Sequence, residues 1–301
     1  MYPYYILWIL FVLIAVILFI FDLKLSVFKP HDITLKESLF LCGIWIVIAC
    51  SYGLLIGYFL NLNKMVEYFT AYIVEYSLSV DNMFVFLIIF SYFGIEKKYQ
   101  PKILVIGILS AIVMRLIFIF TGIALISKFN WIIYIFAIVL LYTGFKMFFV
   151  GNEKIEPEKN PLLRVISKYI NIDMNYKTGD FFIIKNGRLI PTIMIAVLIV
   201  IESTDIVFAV DSIPAVLGIS QDRLIVYSSN IFAVIGLRSL YFALAAINDY
   251  FKYLKKGVAI VLIYVGFKML FSHFIHIPPF LSLMVIIVIL SISIIFSFIK
   301  K

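Results

Sequence analysis

Apolar runs separated by short charged turns dominate the chain. A helix needs about 20 apolar residues to cross a bilayer core about 30 Å thick. The runs predict helices at 4–21, 38–60, 66–93, 101–126, 130–150, 190–218, 224–247, 257–272 and 279–298. Those at 66–93 and 190–218 are long for one crossing, so they tilt, break or project. The first run lacks a basic leader and a small-residue cleavage site, which predicts a span rather than a removed signal peptide. The expectation is an all-α polytopic integral membrane protein of about nine transmembrane helices.

Two polar patches interrupt this pattern. Glu75-Tyr-Ser-Leu-Ser-Val-Asp81-Asn82 lies in the third run, and Glu202-Ser-Thr-Asp205-Ile-Val-Phe-Ala-Val-Asp211-Ser212-Ile-Pro214 lies in the sixth. Glu75 and Asp81 are spaced as Asp205 and Asp211 are. Each patch is followed by a mid-span arginine, Arg115 or Arg238, and then by Gly-Phe-Lys-Met at 144–147 or 266–269. Four landmarks in one order predict a duplication, 66–150 and 190–272, joined by a loop at 151–189 and followed by a last segment at 273–301. Three spans per unit is an odd number, so the second unit crosses in the opposite sense. That is the inverted three-helix repeat of many secondary transporters, whose substrate site lies at the midplane between the units.

Composition supports the membrane class: 64% of residues are hydrophobic and 14% charged. The net charge of +8 reflects basic loops, and no basic cluster is interleaved with aromatics, so nucleic acid is not expected as a partner. With the N-terminus outside, Lys24, Lys29, Lys36, Lys97, Lys98, Lys102, seven basic residues between 151 and 190, Lys252, Lys255, Lys256, Lys300 and Lys301 fall inside. Lys64, Lys128 and Arg223 fall outside. That bias places the C-terminus in the cytoplasm and the chain in the inner (cytoplasmic) membrane. In the loop, 162–170 has the spacing of an interfacial helix, and Asn186-Gly187 between apolar runs predicts a hairpin. Cys42 and Cys50 lie in one apolar run and read as small hydrophobes.

The acids carry the chemistry. A buried carboxylate costs several kcal/mol unless it is paired or protonated. Glu75, Asp81, Glu202, Asp205 and Asp211 outnumber the two mid-span cations, Arg115 and Arg238, which read as counter-ions. Carboxylate, carbonyl and amide oxygens suit hard divalent cations such as Mn²⁺, Mg²⁺ or Ca²⁺. A proton or sodium pathway, or salt bridges that only hold helices together, explains the same residues. On a straight helix Glu75, Ser79 and Asn82 share a face, with Asp81 about 120° away. Glu202, Asp205 and Ser212 share another, with Asp211 pointing elsewhere. Pro214 predicts a helix break that would free a carbonyl. No nucleophile–base set, phosphate loop or zinc-protease spacing is present, so an enzyme is not expected, and no cofactor is required beyond a transported cation.

At these residues the sequence resembles the TerC family of bacterial membrane proteins. Glu-Tyr-Ser-Leu-Ser-Val-Asp-Asn-Met-Phe-Val-Phe at 75–86 and Asp-Ile-Val-Phe-Ala-Val-Asp-Ser-Ile-Pro-Ala at 205–215 look like its two hallmark motifs. Asn160-Pro161-Leu162 and Gly179-Asp180-Phe181-Phe182 are similar too, and the likeness runs from about 36 to 298. The family is named for tellurite resistance, and several members are associated with manganese export or with supplying metal to secreted proteins. The resemblance implies an ion site at Glu75, Asp81, Asn82, Asp205, Asp211 and Ser212; Glu202, from its own place in the acidic patch, is a further candidate ligand or proton carrier. It favours Mn²⁺ efflux. The partners expected are the lipid bilayer and the metal cation, with a homo-oligomer left open, and a non-transporting scaffold or stress-response protein is the alternative.

Overall fold

A computed structural model describes residues 2–27, 34–129, 131–149, 172–173, 179–185, 187–247, 253–271, 274 and 277–299. The helices are α1 (Tyr2–Val27), α2 (Leu35–Phe59), α3 (Leu62–Phe93), α4 (Gln100–Lys128), α5 (Ile132–Phe149), α6 (Ile193–Leu217), α7 (Arg223–Ile235), α8 (Leu237–Ile247), α9 (Leu254–Leu270) and α10 (Pro279–Ile299). Among the described residues seven helices are long and apolar enough to cross a membrane, and α7 with α8 makes an eighth if that bent pair is one span. Nine spans are expected from the sequence. The ninth position is α9, which is helical but only 17 residues long. The interfacial helix expected at 162–170 lies outside the described residues.

Local chemistry sets the boundaries. Asn61 accepts from the Lys64 amide at the start of α3, and Gly94 ends that helix in the left-handed region at φ 62°. Thr192 and Asp222 cap α6 and α7 with their side-chain oxygens. Each cap satisfies an amide that the first helical turn leaves without an intrahelical acceptor. Gly187, at φ 71°, helps turn β1 (Phe182–Lys185) into β2 (Arg188–Pro191), an antiparallel pair with Lys185 opposite Arg188.

The two three-helix stretches interlock. α3 packs on α6, α7 and α8; α4 packs on α6 and α7; α5 packs along α9. Exchanging the stretches leaves this pattern unchanged, because α4 on α6 answers to α3 on α7 and α8, and α5 on α6 answers to α9 on α3. The α5–α9 contact shows the same exchange residue by residue. A Cβ on Gly144 would stand 3.0 Å from the Ala259 carbonyl and 2.7 Å from Ile263. One on Gly266 would stand 3.1 Å from the Ala137 carbonyl and 2.9 Å from Leu141. Ala137, Leu141 and Gly144 match Ala259, Ile263 and Gly266 at one constant offset. Residue numbers rise along one helix as they fall along the other, so the pair is antiparallel. Two backbones come this close only because neither carries a side chain at the crossing.

A polar network ties one end of the bundle. Tyr4 Oη donates to Asp222 Oδ2 at 2.7 Å, Lys64 lies 3.0 Å from Glu67 and 3.4 Å from Asp222, and Ser220 donates to Glu67 at 2.5 Å. The start of α1, the α2–α3 turn and the α6–α7 turn therefore share an end. The hairpin lies at the other: Lys102, at the start of α4, donates to the Gly179 carbonyl at 2.9 Å and sits 3.8 Å from Asp180.

Break positions differ from expectation. α6 continues as helix through Pro214 to Leu217. The proline stands within a turn of the helix end, so few residues must follow the distortion it introduces. The chain bends instead at Gly236, by 42° between α7 and α8. Gly236 presents only hydrogen where Trp45 of α2 approaches, with a would-be Cβ at 3.6 Å from the Trp45 Cβ.

Candidate ion site at the bundle centre

Helix rise places three charged residues at one depth. Glu75 lies 13 residues into α3, Arg115 15 into α4 and Asp205 12 into α6. At 1.5 Å per residue each is about 20 Å from its helix start, near the middle of the bundle. The helices arrive from opposite ends, so the three side chains meet.

Arg115 is fully buried and joins both stretches. Its Nη1 donates to Glu75 Oε1 of α3, which is fully buried too. The same nitrogen lies 3.4 Å from Asn230 Oδ1 of α7. Nη2 lies 3.6 Å from Asp205 Oδ1 of α6. The guanidinium thus bridges the acid of one polar patch to the matching acid of the other. A planar fork with five donors suits that task better than an ammonium would.

Several buried polar atoms of α3, α6 and α7 have no hydrogen-bond partner among the described residues: Glu75 Oε2, Ser79 Oγ, Asn230 Nδ2, Glu202 Oε1 and Ser212 Oγ. A buried polar group left unsatisfied costs about 1–3 kcal/mol. Glu202 stands one turn from Asp205, and both line a small cleft with Leu104, Gly107, Phe86 and Leu237. A Cβ on Gly107 would lie 3.4 Å from Glu202 Oε1, so the glycine leaves room beside the carboxylate. Leu104 and Gly107 belong to the first two turns of α4, so the cleft runs from Asp205 toward the hairpin end.

Of the other sequence-predicted residues, Asn82 is buried, 5% exposed, in α3, and Ser212 is buried in α6. Asp81 and Asp211 lie in α3 and α6, but their side chains are outside the described set. Among the described residues no three His, Cys, Asp or Glu side chains are grouped as metal ligands. Arg238 departs from its expected place. Among the described residues its ion-pair partner is not in the second acidic patch: its Nε donates to Asp22 of α1 at 2.9 Å, and Nη2 lies 2.6 Å from the same oxygen. The 42° bend just before it and the acid on α1 explain the difference.

Two residues of weight escape a reading of the sequence alone, Asp22 and Asn230. Asp22 follows the first apolar run and looks like ordinary end-of-span polarity. Asn230 closes Ser228-Ser229-Asn230, three polar residues that are all fully buried in α7. That triplet inside an apolar run is the signal that could have found it.

Comparison with known proteins agrees with this architecture. The family model for integral membrane proteins of the TerC family matches residues 60–301. An uncharacterized membrane protein of Rickettsia bellii is 40% identical over 294 residues, covering 98% of this chain and 97% of its own. One from Myxococcus xanthus is 40% identical over 290 residues, with 96% and 91% covered. The Escherichia coli protein named "Putative membrane-bound redox modulator Alx" is 38% identical over 289 residues, with 93% and 90% covered. No solved structure matches the chain. The chain is a multi-pass member of the TerC family of integral membrane proteins.

Proposed function

We propose that this protein is a transporter that carries a divalent metal cation across the membrane, with Mn²⁺ efflux favoured, through the carboxylates at the bundle centre. One observation carries the proposal. Carboxylates from α3 and α6 converge on Arg115 at mid-depth, while Glu75 Oε2 and Glu202 Oε1 remain buried without a partner among the described residues. A site meant only to lock helices would satisfy those oxygens. They are hard donors, and with the Ser79 and Ser212 hydroxyls they suit a cation of the Mn²⁺ or Mg²⁺ type.

Transport chemistry needs access from alternate sides. The α5–α9 crossing supports an inverted repeat, since its contacts are reciprocal and its helices antiparallel. The Glu202–Asp205 cleft points to the hairpin end, and the Lys64–Glu67–Asp222 network holds the opposite end together. With the N-terminus outside and the C-terminus cytoplasmic, as the basic loops indicate, the cleft lies on the cytoplasmic side of Asp205, and its lining residues Phe86, Leu104, Ile201 and Leu237 are buried. A cation enters beside Glu202, exchanges with Arg115 for the Glu75 and Asp205 oxygens, and leaves when the network at the far end opens.

The test is whole-cell manganese content and growth in excess manganese, with membrane abundance measured beside them. Asp81→Asn and Asp211→Asn should abolish protection while the protein stays in the membrane. Unchanged protection in both would sink metal transport. Loss of folded protein in place of flux would assign the acids to helix assembly.

A further inference from the structure

The two mid-span arginines hold matching places in the two stretches but have different fates. Arg115 lies among the acids of α3 and α6. Arg238 is equally buried, 2% exposed, yet it is bound by Asp22, itself 3% exposed. Asp22 belongs to α1, which lies outside both stretches. The first turn of α8 is held from α2 as well, where the Trp45 indole donates to Ser239 Oγ at 3.1 Å and Phe21 packs on the Trp45 ring at 6.1 Å. Leu237, the residue before Arg238, lines the cleft with Glu202 and Asp205. Arg238 thus follows directly, in α8, a residue of the cleft wall.

Charge gives this arrangement a consequence. Among the described side chains the centre holds Glu75, Glu202 and Asp205 against Arg115, which leaves two negative charges when all are ionised. A divalent cation balances that charge. If Arg238 turned into the cleft, only one negative charge would remain, and its guanidinium would compete for the oxygens that a cation needs. Unit charges a few ångström apart in a partly buried site interact by several kcal/mol, so the location of one arginine decides whether the site draws a cation.

We propose that Asp22 sets the cation affinity of the site by holding Arg238 out of the cleft. The proposal rests on the metal-transport reading. Asp22 acts through Arg238 and touches no cargo, so it is a positioning residue. Among the described residues Asp22 is the acid paired with Arg238, so removing its charge leaves a buried guanidinium short of a counter-ion, a strongly unfavourable state. The guanidinium then turns toward the carboxylates of the cleft.

The experiment is Mn²⁺ binding by the full-length protein in lipid nanodiscs, read as loss of the free-ion electron paramagnetic resonance signal. Asp22→Asn should weaken Mn²⁺ binding about tenfold or more. Asp22→Asn with Arg238→Gln should bind within about twofold of wild type, because no displaced guanidinium remains. Arg238→Gln alone, which leaves no guanidinium to enter the cleft, should bind at least as well as wild type when monodisperse. Wild-type binding by Asp22→Asn, or no recovery in a monodisperse double variant, would overturn the proposal, as would weakened binding by Arg238→Gln. Absence of Mn²⁺ binding by the wild type would instead overturn the metal reading, and this inference with it.

Discussion

Arg115 of α4 reaches Asp205 of α6 at 3.6 Å while it is paired with Glu75 of α3. One cation thereby joins acids that the chain brings from opposite ends of the bundle. Arg115→Gln would leave two buried carboxylates without it, and removing one partner of a buried pair costs about 3–5 kcal/mol. The prediction is a large fall in thermal stability in detergent. Adding Glu75→Gln to Arg115→Gln should recover part of that loss, since the second substitution removes a stranded charge. Equal melting temperatures for Arg115→Gln and wild type would show that the bridge carries no stability.

Gly144 and Gly266 make equivalent demands on α5 and α9. Added methyls would press on carbonyl oxygens at 3.0 and 3.1 Å and on side chains closer still. Overpacking of this kind costs about 1–3 kcal/mol. Gly144→Ala and Gly266→Ala should lower thermal stability by similar amounts. A large loss in one and none in the other would break the reciprocity of the crossing. Gly43, which has nothing within 4 Å of a would-be Cβ, is the matched control.

The network at the α2–α3 end makes a separate prediction. Asp222→Asn keeps a side chain able to cap α7, and Asn caps about as well as Asp. It removes the charge that faces Lys64 at 3.4 Å. These partners are partly exposed, so the stability cost should stay below about 1 kcal/mol. Hydrogen exchange at 218–222 should quicken, because that turn loses its ionic tie to α3 and keeps only the Ser220–Glu67 hydrogen bond. No change in exchange would mean that the network does not hold this end closed.

Much of the architecture can be read from residue order. The paired landmarks match Glu75 to Asp205 and Arg115 to Arg238 at corresponding points of two stretches, and burial cost predicts that such charges find partners. What escapes is the bend. A proline advertises itself, but Pro214 stands so near the end of α6 that the helix accommodates it. Gly236 carries no such signal, since a lone glycine inside an apolar run is compatible with a continuous helix. Asp22 is hidden as well. Its importance lies in Arg238, more than two hundred residues away in sequence, and no local pattern links them.

Mn²⁺ flux into proteoliposomes containing the full-length protein tests cation transport most directly. Wild type should show saturable uptake above empty vesicles, and Asp205→Asn should reduce it to the empty-vesicle rate while the protein remains monodisperse. Wild-type flux no greater than that of empty vesicles, or undiminished flux in Asp205→Asn, would contradict transport through the central carboxylates.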